Sequence, residues 1–231
     1  MKKIVFLMFV AGVMMTLGMA SCNTNNNTNT TTGEWVDLGL PSGVLWAKCN
    51  LGATTPEGYG NYYAWGETIT KETYDWSTYR YATVGVDDVL LTLTKYNTSE
   101  AYGTIDNMTT LEASDDVATA VLGSGARIPT KAEWQELLDN TTAEWTTVNN
   151  VFGRKFTASN GNSLFLPAAG FRFGSSLYTA GTHGYYWSSS LRESLPYFAW
   201  QMCFNSDGQG VHDDSGGRYC GQSVRAVRSQ N

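Results

Sequence analysis

The sequence predicts an α+β domain of mixed and antiparallel strands, with two helices near the middle and a loop-rich C-terminal half. Three observations predict it. Short aromatic and β-branched runs bounded by Gly, Asn, Asp and Ser recur along the chain, which is the pattern of strands joined by turns. Only two stretches, around 114–123 and 130–138, carry apolar residues at helical spacing. Strands are expected on both sides of these helices, so helices and strands are segregated and not regularly alternating.

The chain of 231 residues opens with Met1-Lys2-Lys3, an apolar run over 4–17 and small residues ahead of Cys22. A basic start, a short apolar stretch and a small-residue cleavage site make residues 1–21 a secretory signal, since a spanning helix needs about 20 apolar residues. Met19-Ala20-Ser21-Cys22 resembles the lipobox of bacterial lipoproteins, with Met where Leu is more usual. By that resemblance Cys22 becomes the lipid-bearing N-terminus, the chain is exported and anchored to the outer membrane, and more than one acyl chain makes the attachment lasting. Residues 22–33 are nearly all Asn and Thr, a polar tract that builds no core and serves as a tether. Residues 34–231 then form one domain, because about 200 residues suit a single compact unit, and 8 Trp, 13 Tyr and 9 Phe are available to fill its core.

Within that domain, Trp35-Val-Asp-Leu38 and Val44-Leu-Trp-Ala-Lys-Cys49 flank Gly39, Pro41, Ser42 and Gly43 and read as two strands around a turn. Gly60-Asn-Tyr-Tyr-Ala-Trp65 reads as a further aromatic strand, and residues 67–107 as loops and short strands. Ser114 is expected to cap a helix whose apolar stripe is Val117, Ala118, Val121 and Leu122; Asp115 and Asp116 suit its positive end, and Gly123 ends it. A second helix starts at the capping box Thr130-Lys-Ala-Glu133 and sets Trp134, Leu137 and Leu138 on one face. Trp145 to Val148 and Val151 to Thr157 read as strands across an Asn149-Asn150 turn, followed by Ser163-Leu-Phe-Leu166.

Residues 185–228 hold three strand-like segments separated by two irregular runs. In Tyr197-Phe-Ala-Trp-Gln-Met-Cys-Phe204 the period of two sets Phe198, Trp200, Met202 and Phe204 on a face expected in the core. The other face, with Tyr197, Ala199, Gln201 and Cys203, is expected to be a binding surface. Residues 207–217 lack any apolar period and read as a loop, where binding residues concentrate. The expected ligand-binding set is Arg192, Glu193, Ser194, Pro196, Tyr197, Ala199, Gln201, Cys203, Asp207, Gly208, His212, Asp213, Asp214, Ser215, Gly216, Arg218, Tyr219 and Cys220. Tyr and Arg are enriched at binding hot spots, and Tyr, Ser and Gly in adaptable paratopes, so the expected ligand is a protein or a glycan.

Several chemistries are set aside. The formal net charge is −6, and loss of Lys2 and Lys3 with the leader makes the chain more acidic; a nucleic-acid partner, which needs clustered Lys and Arg, is excluded. Cys49, in an alternating apolar segment, is expected as a buried thiol. Whether Cys203 and Cys220 form a bridge is left open. Ser188 to Ser190 lack a nucleophile elbow and are expected to face solvent, the only histidines are His183 and His212, and no Walker loop or His-Glu-x-x-His occurs. Asp207, Asp213 and Asp214 lack fixed calcium-ligand spacing and read as a solvated acidic loop. No catalytic residue, metal or cofactor is expected.

Arg127-Ile-Pro-Thr-Lys-Ala-Glu-Trp134, taken with Gly221-Gln-Ser-Val-Arg-Ala-Val-Arg228, resembles the formylglycine-generating-enzyme-like branch of the C-type lectin fold. Val36-Asp-Leu-Gly-Leu-Pro-Ser-Gly43, Leu45-Trp-Ala with Cys49-Asn50, Tyr63-Ala-Trp-Gly-Glu67, Leu166-Pro-Ala-Ala-Gly170 and Tyr186-Trp-Ser-Ser189 are similar to motifs of the major-paralogous-domain (FISUMP-type) lipoproteins of gut bacteria. The resemblance spans nearly all of residues 35–228. It implies a C-type-lectin-like fold whose first and last strands pair, with residues 35–38 beside 224–228. It also implies a lipid-anchored ligand-binding protein. The parent enzyme uses two closely spaced C-terminal cysteines, whereas Cys203 and Cys220 lie seventeen positions apart, and the calcium motifs of sugar-binding lectins are missing. Some proteins of this branch are variable proteins of diversity-generating retroelements, which implies a diversified surface around 190–220. The alternatives are a slowly diverging binding face, a structural or surface-assembly lipoprotein with a fixed partner, and, third, an enzyme acting on exported polypeptides.

Overall fold

The computed structural model describes residues 35–85, 91–212 and 216–230. The leader, the tether with Cys22, and the three predicted ligand contacts Asp213, Asp214 and Ser215 lie outside the described residues. The described chain is a mixed α+β arrangement of mostly antiparallel strands with two helices.

β1 (Trp35–Asp37) and β2 (Val44–Ala47) pair as expected, Trp35 opposite Ala47. The C-terminal strand β14 (Val227–Ser229) joins the same sheet against β2, and β5 (Ala126–Arg127) lies on its far side, giving the order β1-β2-β14-β5. The expected direct pairing of 35–38 with 224–228 is therefore corrected. β2 lies between the first and last described strands, and its Trp46 is fully buried in the cluster that α2 covers.

Residues 60–65 are not the aromatic strand that was expected. Gly60 and Gly66 take φ of 70° and 78°, which breaks the extended run, and only Tyr63 makes a bridge, to Gln222. β3 (Ala82–Val84) and β4 (Leu91–Leu93) are the short strands expected in the Thr- and Tyr-rich region.

Helix α1 (Val117–Leu122) is capped by Asp116, whose carboxylate accepts from Ala118 N and Thr119 N; Ser114 is not the cap. Asp116 also accepts from Ile128 N at 2.8 Å, so one side chain serves the helix and the strand after it. Val117 and Ala118 are buried but Val121 is 45 % exposed, so the stripe is narrower than expected. Gly123 ends the helix with φ 88°. Asp115 does not cap; it accepts from Lys95 Nζ at 2.5 Å and Tyr96 Oη at 2.6 Å. Helix α2 (Lys131–Asn140) begins at the expected capping box, with Thr130 Oγ1 accepting from Glu133 N and Glu133 accepting from Thr130 N.

α2 runs directly into β6 (Thr141–Val148), which pairs with β7 (Val151–Ala158) across Asn149 and Asn150; both have positive φ, as a two-residue primed turn requires. β8 (Ser163–Pro167) completes that sheet. β9 (Phe171–Phe173) and β10 (Ser176–Tyr178) form a separate hairpin. β11 (Gly184–Leu191), β12 (Ala199–Phe204) and β13 (Gln209–His212) make a three-stranded sheet. β13 corrects the reading of 207–217 as loop throughout: its backbone pairs with β12, with Val211 opposite Met202, although its side chains lack an apolar period.

The spine of the molecule is the nearly continuous buried stretch 217–227. It bonds on one side to the early chain, with Leu51 N and Ala47 N donating to Val224 O and Ala226 O, and on the other to the late chain, with Ser223 N donating to Tyr185 O and Gly221 exchanging bonds with Arg172. Two buried arginines fasten it. Arg225 donates to Asn50 Oδ1 at 2.9 Å and to the carbonyls of Ala47, Lys48 and Phe165. Arg218 donates to the carbonyls of Tyr96 and Lys95 at 2.8 and 3.2 Å. Two apolar clusters flank this spine: an aromatic-rich one around Tyr62, Trp65, Tyr79, Tyr96 and Trp187, and one around Trp46, Trp134, Phe156, Tyr186 and Phe204, which α2 covers.

Candidate surface of aromatic rings around the β9–β10 hairpin

Phe171-Arg-Phe-Gly-Ser-Ser-Leu-Tyr178 alternates apolar and polar residues around a Gly-Ser pair, and it folds as a hairpin whose turn has Gly174 at φ 54°. Alternation along β9 sends Phe171 and Phe173 to one face and Arg172 to the other. On the first face the rings form a contiguous strip. Trp76 meets Tyr219 at 4.7 Å between centroids, Tyr219 meets Phe173 at 5.9 Å, Phe173 meets Tyr178 at 6.3 Å and Tyr178 stacks on Phe171 at 5.7 Å. Phe171 then meets Tyr185 at 5.2 Å, and Tyr185 stacks on His183.

Phe173 and Tyr178 are 47 % and 44 % exposed, and Leu177 on the same hairpin is 40 % exposed. Phe173 and Tyr178 share one face and belong to neither core cluster, Leu177 lies with its cross-strand partner Arg172 on the other, and contiguous exposed apolar surface such as the Phe173–Tyr178 face marks interaction sites. The hairpin is held rigidly: Arg172 N donates to Gly221 O at 2.7 Å, Gly221 N returns a bond at 3.0 Å, and Tyr74 exchanges two backbone bonds with Gly174. Tyr219 and Tyr185 are half-buried, and burial raises both phenols above their ordinary range, Tyr219 to about 12, so they act as neutral rings.

The predicted C-terminal binding residues are scattered by the fold into three places. Tyr219 is part of the strip, and Cys203, directly across β11–β12 from Tyr185, borders it. Arg192, Glu193, Ser194 and Tyr197 form a second place, where Thr98 Oγ1 donates to Glu193 O and the Tyr197 ring meets Tyr102 at 5.1 Å. Asp207 and Gly208 form a third, the tight β12–β13 turn, in which Asn205 Oδ1 accepts from both of their N–H groups and Arg154 donates twice to Asn205 O. His212 is exposed and Gly216 half-buried, on either side of the segment 213–215.

Five predicted contacts are corrected because they are buried. Pro196, Ala199, Gln201, Arg218 and Cys220 lie inside. β12 is the central strand of its sheet, with the aromatic cluster on one side and the α2 cluster on the other, so both of its faces are covered where Ala199 and Gln201 sit. Gln201 pairs with the Gln222 amide of the spine. Trp200 and Phe198, expected in the core, are half-buried instead, and Lys131 Nζ sits 3.1 Å above the Trp200 ring. Cys203 and Cys220 are both thiols, so no bridge joins them, and burial lifts the Cys220 thiol to about 11. Cys49 is buried, as expected, but it enters a disulfide.

The three serines also differ from expectation. Ser188 and Ser189 are buried and Ser190 half-buried in the irregular part of β11, between Trp187 and Leu191. Ser190 Oγ accepts from Lys131 N at the start of α2, and Ser188 Oγ accepts from Ser190 N. Ser188 and Ser190 are thus structural acceptors, Ser189 Oγ donates to Pro129 O at 3.4 Å, and His183 hydrogen-bonds Thr182. Among the described residues no three His, Cys, Asp or Glu side chains gather as metal ligands, and no helix is long and apolar enough to cross a membrane.

No family model matches the chain. Neither the curated proteins nor the solved structures yield a match to it. The residues that sequence reasoning passed over are Trp76, Phe171, Phe173, Leu177 and Tyr178. For 171–178 the signal was present in the alternation around Gly174-Ser175, though nothing in it says that the apolar face remains uncovered; Trp76, about a hundred residues away, carried no such signal.

Proposed function

We propose that this protein is a lipid-anchored, C-type-lectin-like binding protein of the bacterial envelope that holds a protein or glycan ligand on the aromatic strip. The observation that carries the reading is the row of rings from Trp76 to Tyr185 with Phe173 and Tyr178 about half exposed. Aromatic rings stack on sugar faces and fill protein pockets, supplying much contact area at low entropic cost. The first and last described strands in one small sheet and the two helices support the fold assignment; the expected loop-rich C-terminal half is corrected, because residues 141–229 are mostly strands and the irregular stretch is 48–116. The lipobox-like Met19 to Cys22 supports the anchor, which requires the Cys22 sulfur to carry the lipid and not a bridge to Cys49. Diversification by a retroelement belongs to the same reading, restricted to the exposed part of the C-terminal set.

A glycan array and a panel of envelope proteins, probed with the full-length protein in detergent, test it. Replacing Phe173 and Tyr178 by Ser should reduce capture about tenfold or more while leaving the melting temperature within a few degrees. Capture that is unchanged in the double variant would sink the assignment of the strip. Cys22→Ser should move the protein from the membrane to the soluble fraction.

The open edge of β10, whose three residues are all exposed, favours a second reading as a surface-assembly lipoprotein with one fixed partner. Crosslinking in intact cells that returns a single constant partner at the hairpin would favour it.

A further inference from the structure

The opposite face of β9 borders a cleft of about 450 Å³, lined by Asn61, Tyr62, Thr70, Glu72, Arg172 and Ser175 among others. This size is within the usual range for small-ligand sites. Its floor is fixed: Tyr62 Oη donates to Ala169 O and Tyr74 Oη donates to Tyr62 O, both at 2.6 Å. The two phenols are therefore spent on the fold and offer nothing to a ligand.

Two cations reach the cleft, and they are not equivalent. Lys71 Nζ is used up by Glu67, at 2.9 Å, and by Thr78 O, at 3.1 Å. The Arg172 guanidinium lies 5.3 Å from the Tyr62 ring centroid and makes no ion pair or side-chain hydrogen bond among the described residues. Contact with a ring spends no N–H donor, so the guanidinium donors of Arg172 are unspent among the described residues, and a guanidinium edge matches a carboxylate bidentately. The backbone of Arg172 is clamped to Gly221 on both sides, so the donor is pre-positioned. Leu177 is the cross-strand partner of Arg172 and shares its face of the hairpin.

The surroundings narrow the ligand. Thr70 and Ser175 hydroxyls, the Asn61 amide and the Glu72 carboxylate at the rim suit a molecule rich in hydroxyl groups. The chain carries a net charge of −6, so an extended polyanion is repelled, and one local Arg suits one carboxylate. We infer that the Arg172 cleft binds a sugar carrying a single carboxylate, of the uronic-acid type, with the carboxylate on the Arg172 edge and the ring hydroxyls on Asn61, Thr70, Ser175 and Glu72. This deepens the binding reading at a surface separate from the aromatic strip.

The test is calorimetry on the full-length protein with galacturonate, its methyl ester and a short Glu-containing peptide as probes. The expected result is saturable binding of galacturonate, weakened about tenfold or more in Arg172→Gln, with neither the ester nor the peptide bound comparably. Because the Arg172 side chain makes no hydrogen bond among the described residues and loses only its contact with the Tyr62 ring, the variant should melt within a few degrees of the parent. Glu72→Gln should tighten galacturonate binding about twofold to threefold by removing a like charge, a gain that a merely structural role would not produce. The Phe173 and Tyr178 variants should leave galacturonate binding intact, so failure of the strip and failure of the cleft are distinguishable. No galacturonate binding, equal binding of the ester, peptide binding in its place, or full affinity in Arg172→Gln would each overturn the inference.

Discussion

At the residue scale, several polar groups that look available for chemistry are committed to the fold. Burial alone would raise the Glu133 carboxyl, but hydrogen bonds from Arg127, at 2.7 Å, and from Thr130 outweigh it and hold it below its ordinary value of 4.5. A depressed folded-state pKa contributes stability that is complete above the unfolded value and is lost as pH falls through the folded one. Stability should therefore drop on acidification below about 4.5, and Glu133→Gln should flatten that acid limb; an unchanged slope in urea titrations across pH 3 to 5, of roughly the span set by carboxylates, would refute the assignment. Arg225 is pushed down to about 10 by burial yet remains charged at neutral pH, held by carbonyls and an amide with no carboxylate beside it. Removing such a tie leaves buried acceptors without donors, so Arg225→Ala should cost about 3 kcal/mol or more in chemical denaturation. Cys220, buried and with its thiol raised, should resist alkylation at pH 8 until the protein unfolds.

At the element scale, α2 is the part in which local and tertiary signals agree. Its capping box, its apolar face of Trp134 and Leu137, and the acceptor Ser190 Oγ at its start all select the same helix. Thr130→Ala should cost about 1 kcal/mol through the lost cap. Trp134, fully buried with Nε1 donating to Trp187 O at 3.2 Å, should cost about 3–5 kcal/mol as Ala, read by thermal or urea melts. β12 shows the opposite case. Its alternation was legible, but its position in the middle of a covered sheet was not, so a miscellaneous polar face read as solvent-facing turned out to be half interior. The β9–β10 hairpin carried a legible turn at Gly174 and an illegible consequence, because period two says that Phe171 and Phe173 share a face and not whether anything lies on it.

At the scale of the whole molecule, the spine 217–227 joins parts of the chain that are more than a hundred residues apart, and it restricts where variation is tolerated. If the C-terminal segment is diversified, substitutions should fall at Arg192, Glu193, Ser194, Tyr197, Cys203, Asp207, Gly208 and His212. Pro196, Ala199, Gln201, Arg218 and Cys220 should stay constant, because each is packed inside. Population sequencing of these codons checks this; free variation at Arg218, which bonds the carbonyls of Lys95 and Tyr96, would contradict the fold-based partition.

The sequence by itself determined the local features: the β1–β2 pair, the capped start of α2, the Asn149-Asn150 turn and the α+β class, since each follows from propensity, period or a turn residue acting within a few positions. It also shows the acidic balance that disfavours polyanions. Only the tertiary structure decided that β2 separates the terminal strands and that Arg218 and Gln201 are interior. It likewise decided that Arg172 keeps an open edge while Lys71 does not. Burial and ion pairing depend on which distant segments cover a side chain, and that information is not carried by any short stretch of the chain.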